Sequence, residues 1–68
     1  MNNTSNIIEL RHTRYDITVE YGKEEYIDAH YNDTFKHWTI YIETYDVSRL
    51  NECIKIGESL LTQKKKAQ

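Results

Sequence analysis

Tyr15-Asp16-Ile17-Thr18-Val19-Glu20-Tyr21 alternates without a break, and its reading decides the fold. Successive side chains of a strand point to opposite faces, so Tyr15, Ile17, Val19 and Tyr21 share one face and Asp16, Thr18 and Glu20 the other. Two later segments repeat the pattern. Glu25–Tyr31 offers Ile27, Ala29 and Tyr31, and His37–Glu43 offers Trp38, Ile40 and Ile42. One sheet face is therefore greasy. The other gathers Asp16, Thr18, Glu20, Tyr26, Asp28, His30, His37, Thr39, Tyr41 and Glu43, with no Lys or Arg from these segments. Such a face repels phosphate and suits a basic protein surface.

Working outward, Asn6–His12 reads as a first strand with Ile8 and Leu10 toward the core, and Thr13-Arg14 turns the chain. A two-residue loop Gly22-Lys23 would drive Asp28 and His30 into the core, a costly arrangement. A three-residue loop Gly22-Lys23-Glu24 instead pairs Val19 with Ile27, Ile17 with Ala29 and Tyr15 with Tyr31. Across Asp33-Thr34-Phe35-Lys36 the same matching pairs Tyr31 with Trp38, Ala29 with Ile40 and Ile27 with Ile42. On the polar face this register sets Thr18 beside Asp28, and Asp28 beside Tyr41.

After Glu43 the period changes. Asp46 or Thr44 can cap a helix, and Val47, Leu50, Ile54, Gly57 and Leu61 recur at helical spacing. Gly57 lets the helix approach a bulky neighbour, with Trp38 the candidate. The expected fold is α+β: a four-stranded antiparallel sheet in β-β-β-β-α order, with one C-terminal helix packed on one face. Residues 1–68 form a single domain, ordered from about residue 6 to residue 62, with 1–5 and 63–68 as flexible termini.

A chain of 68 residues buries only a small core, so self-association is expected to help. Cys53, Ile56 and Leu60 widen the helix's apolar arc beyond what one sheet face needs. A second copy is expected to cover that edge in a twofold dimer. Cys53 is the only cysteine, which excludes an intrachain disulfide and fits a reducing cytoplasm. The polar N-terminus lacks the apolar core of a signal peptide, and no apolar run reaches membrane-spanning length. The net charge is −2, but Lys64, Lys65 and Lys66 supply three of the nine basic residues. Without them the body carries six basic against eleven acidic groups, a poor start for binding nucleic acid.

Few residues invite chemistry. His30, His37 and Asp16, with Asp16 expected beside His30, have the donor types for a transition metal or an acid–base pair. They read as ordinary cross-strand neighbours, so no metal or other cofactor is assigned. Cys53 lies inside the apolar arc and reads as a small hydrophobe rather than a nucleophile. No glycine-rich loop or serine motif is present, and the chain is read as non-enzymatic. Tyr26 and Tyr41, flanked by carboxylates, are of the amphipathic type that anchors protein interfaces.

The order of four strands and a helix is similar to that of the PC4-like single-stranded-DNA-binding proteins. The stretch from Arg14-Tyr15 to Asp28 and the segment Ile40–Ile54 follow that family's spacing loosely. The resemblance implies a single strand lying on the open sheet, where this sequence places Asp16, Glu20, Asp28 and Glu43.

The leading expectation is a small protein-binding domain that blocks a basic, nucleic-acid-binding surface of another protein, as phage or mobile-element inhibitors do. Its partner-binding residues are Glu20, Tyr26, Asp28, Tyr41 and Glu43. The alternative is a single-stranded nucleic-acid binder using Arg11, Arg14 and Lys36, with aromatic stacking on Tyr26, Tyr41 or Phe35.

Overall fold

A computed structural model describes residues 7–11 and 14–67, apart from the side chains at positions 7, 8 and 11. Its strands are β1 (Ile7–Arg11), β2 (Tyr15–Tyr21), β3 (Tyr26–Asn32) and β4 (His37–Thr44). A 3-10 turn, Val47–Arg49, leads into helix α1 (Leu50–Lys66). The expected strand limits Asn6 and His12, the turn residue Thr13 and the terminal residues 1–5 and 68 lie outside the described residues.

The four strands form one sheet in the order β1-β2-β4-β3. β1 and β3 run antiparallel to β2 and β4 respectively, but β2 and β4 are parallel. The expectation of a purely antiparallel sheet is corrected at that seam. β3 does not pair with β2, and Thr18 lies beside Tyr41 rather than Asp28. The expected β3–β4 register holds in full: Ile27 pairs with Ile42, Ala29 with Ile40, Tyr31 with Trp38 and Asp28 with Tyr41.

The physical reason lies in β4. Ile40 and Ile42 are its fully buried aliphatic residues, and a central place gives each an apolar neighbour on both sides. The rungs run Ile17–Ile40–Ala29 and Val19–Ile42–Ile27. At an edge, β4 would lose one of those flanks. Residues 22–25 connect β2 to β3 around the end of β4, and the Gly22 N–H donates to the Thr44 carbonyl at 3.0 Å. Four extended residues reach roughly 13 Å. Two strand spacings need only about 10 Å, so the crossing is unstrained.

β4 ends where Thr44 is buried beneath the chain's turn toward the helix. Its hydroxyl donates to the Asp46 carbonyl at 3.1 Å, and the Asp46 carboxylate accepts from the Ser48 N–H at 3.0 Å. That capping bond holds the Asp46 carboxyl below its usual range. Val47, expected in the apolar stripe, stands exposed on the 3-10 turn instead. α1 then lies over β3 and β4, burying Cys53, Gly57 and Leu61, with Leu50, Ile54 and Leu60 packed beside them. The close neighbour of Gly57 is Ile40, not Trp38: a Cβ there would stand 2.4 Å from Ile40 Cγ2. The helix continues past Thr62 to Lys66, so Lys64, Lys65 and Lys66 form its last turn, where cations complement the helix dipole. Among the described residues no helix is long and apolar enough to cross a membrane.

Candidate functional site

The face of the sheet opposite the helix is laid out in rungs. Tyr26, Glu43 and Glu20 lie side by side across β3, β4 and β2. Asp28, Tyr41, Thr18 and Glu9 form the next rung, and His30, Thr39 and Asp16 the one after. The parallel pairing of β2 and β4 therefore makes Glu20 and Glu43 register partners. Like charges opposite each other on a sheet destabilise it. Among the described residues no Lys or Arg pairs with either carboxylate.

Two tyrosines complete this patch. The rings of Tyr26 and Tyr41 are tilted at 56° with centroids 6.1 Å apart, an arrangement aromatic pairs favour. The Tyr41 hydroxyl donates to the Glu20 carboxylate. That bond to an anion, reinforced by partial burial, pushes the Tyr41 phenol up to about 12. Tyr26 keeps 54% of its surface exposed, so the pair offers one held ring and one open ring.

The remaining acids nearby are already answered. Lys64 reaches over the β3 edge from the end of α1, donating to Asp28 Oδ1 at 2.8 Å and to the Ala29 carbonyl at 2.6 Å. The ammonium holds the Asp28 carboxyl below its ordinary value. Arg49 grips Glu25 with two bonds of 3.0 Å, which depresses Glu25 likewise. Of the five expected partner-binding residues, Glu20, Tyr26, Tyr41 and Glu43 thus form one unbalanced patch. Asp28 adjoins it with its charge compensated. Nothing in the local sequence signals that compensation, because the cation comes from the far end of the chain.

The expected dimer trio divides. Cys53 is fully buried against the sheet, and desolvation raises its thiol above the ordinary range. Leu60 is partly buried against the core, and Ile56 is 37% exposed. The basic residues of the alternative reading also divide. Arg11 pairs with Asp16 in register, while Lys36 sits in the β3–β4 hairpin with φ 56°, a left-handed conformation rare outside glycine. Arg14 joins Lys65 and Lys66 around an open cleft of about 450 Å³, where the Tyr15 hydroxyl donates to Glu58. That bond raises the Tyr15 phenol. Asp16 and His30 are not neighbours as expected, because Thr39 stands between them. Asp16 instead lies 3.7 Å from His37 Nε2. Among the described residues no group of three His, Cys, Asp or Glu could hold a metal ion.

No family model, curated protein or solved structure shows a significant match to this chain.

Proposed function

We propose that the chain is a non-enzymatic protein-binding domain whose polar sheet face covers a basic surface of a partner, of the kind that otherwise holds nucleic acid. The observation that carries this reading is the register pairing of Glu20 and Glu43 beside an open tyrosine. Asp28 and Glu25 are paired with Lys64 and Arg49, yet among the described residues these two adjacent glutamates have no cation. A cationic partner supplies the missing counter-charge, and the tyrosines supply rigid contact area at low entropic cost. The buried free thiol of Cys53 suits a reducing, cytoplasmic setting. The exposed Ile56 beside Leu60 leaves an apolar edge for a twofold dimer.

The rival reading has its own observation. Arg14, Lys65 and Lys66 gather at the opposite end of the sheet from Glu20 and Glu43, and a single strand could bind there. Surface-binding kinetics on an arginine-rich peptide and on a single-stranded oligonucleotide, each at two salt concentrations, separate the two. The protein-binding reading expects the peptide to bind and the oligonucleotide not. Tyr41→Ala should then speed dissociation from the peptide, costing ~1–3 kcal/mol. Glu43→Lys should slow association, an effect that fades at high salt. Rates unchanged by both substitutions, or tighter binding of the oligonucleotide, would move function to the Arg14 end.

A further inference from the structure

Beside the Glu20–Glu43 patch the polar face sinks into a cleft of about 460 Å³. Asp16 and Thr18 of β2, Thr39 and Tyr41 of β4, Glu9 of β1 and Phe35 of the hairpin line it. Asp16 is its unusual member. Among the described residues no donor hydrogen-bonds its Oδ1. Oδ1 is screened from solvent, and His37 Nε2 at 3.7 Å stands outside hydrogen-bond range. The side chain nonetheless keeps 29% of its surface exposed, and Asp16 lines the cleft. A buried acceptor without a donor calls for an explanation, and a missing ligand is one.

The lining states what such a ligand must be. The carboxylates of Asp16 and Glu9 and the hydroxyl oxygens of Thr18 and Thr39 all accept hydrogen bonds. His30 also lines the cleft, but no Lys or Arg does, so a phosphate or carboxylate ligand would face the two carboxylates of Glu9 and Asp16. Phe35 adds a ring that is 73% exposed. Its backbone is held: Asn32 Oδ1 accepts from the Thr34 and Phe35 N–H groups at 2.9 and 3.1 Å, fixing the hairpin beneath the ring.

We propose that this cleft receives an arginine side chain of the partner, its guanidinium bonded to Asp16 and the threonine hydroxyls and faced by an aromatic ring. The assignment rests on the reading of this face as a protein-binding surface and names the group it recognises. A guanidinium carries five donors and no acceptor, is weakly hydrated, and stacks on aromatic faces. A lysine ammonium is more strongly hydrated and lacks the planar fork, so it fits the same lining less well.

The test is an NMR titration of the full chain with N-acetyl-arginine amide and with N-acetyl-lysine amide, followed by an arginine-rich peptide. The arginine amide should shift the backbone resonances of Asp16, Thr18 and Thr39, and bind more tightly than the lysine amide. Asp16→Asn should weaken it roughly tenfold or more, by loss of charge-assisted hydrogen bonds. Phe35→Ala, at an exposed position that cannot unfold the domain, should weaken it by roughly threefold. Equal binding of the two amides, or no shift at Thr18 and Thr39, overturns the assignment. If Asp16→Asn leaves peptide binding at the Tyr26–Tyr41 patch untouched, the cleft is wrong and the broader reading survives. If the amide titrates the cleft but the peptide does not bind, the cleft stands and the broader reading falls.

Discussion

The two faces of β4 come from one alternating stretch and have opposite characters. Trp38, Ile40, Ile42 and Thr44 are buried beneath α1, while His37, Thr39, Tyr41 and Glu43 stay partly exposed on the other side. The first set is satisfied by apolar neighbours on both flanks. The second is less satisfied: it sets Glu43 next to Glu20 in register, and Thr39 beside an Asp16 whose Oδ1 has no donor among the described residues. Stability is concentrated on one face and unspent electrostatics on the other. A residue can therefore be changed on the polar face without unfolding the domain.

The largest effect that sharpens this contrast is at Ile40. Ile40→Ala should destabilise by ~2–5 kcal/mol in denaturant unfolding, because the fully buried site cannot collapse. On the opposite face Thr39→Ala should change stability by less than about 0.5 kcal/mol. Equal effects at the two neighbours would break the comparison. Gly57→Ala comes next. Alanine gains about 1 kcal/mol in helix propensity, but its Cβ would meet Ile40 Cγ2 at 2.4 Å. We expect a net loss of ~1–3 kcal/mol from overpacking, read as a lowered thermal midpoint.

Smaller effects probe the polar face. Lys64→Ala should cost only about 0.2–1 kcal/mol, since the pair with Asp28 is largely exposed. The carboxyl of Asp28 has a lower folded than unfolded pKa, so its contribution is present above the unfolded value near 3.8. It is lost as pH falls through the folded value. In Lys64→Ala that acid loss should shrink, as a carbon-detected NMR titration of Asp28 would show. Tyr41 runs the other way. With a folded pKa of about 12 against 10.0 unfolded, its contribution is full below pH 10 and fades as pH rises through 12. Glu20→Gln should bring the phenol back toward its ordinary value in an ultraviolet titration. Least in size is Glu43→Gln, which removes one of two like charges adjacent in register and should stabilise by about 0.2–0.5 kcal/mol while weakening peptide binding. A destabilised Glu43→Gln would mean the two carboxylates are not in conflict.

Much of the fold was legible because burial enforces period. Tyr15–Tyr21 is β2 residue for residue, and the β3–β4 register follows from matching Ile27, Ala29 and Tyr31 to Ile42, Ile40 and Trp38. The neighbour of β2 was not legible. Face-matching places Ile17 and Val19 on the same side whether the next strand is β3 or β4, so parity cannot choose between them. The choice falls to β4 because Ile40 and Ile42 gain most from two flanks. In the candidate site, the face of Tyr26, Tyr41, Glu20 and Glu43 was readable from alternation. The pairing of Asp28 with Lys64 and the isolation of Asp16 were not, because both depend on contacts between distant parts of the chain.

The place of β4 also orders events in time. It is the last strand to be synthesised, yet both β2 and β3 need it as their neighbour, so the sheet cannot zip up in the sequence in which the ribosome delivers it. The β3–β4 hairpin closes through a short loop and can form locally, whereas the parallel seam to β2 joins residues from opposite halves of the chain. A nascent chain halted before His37 holds its first three strands with the slot between β2 and β3 vacant, and its apolar side chains stay open to other chains until translation moves on.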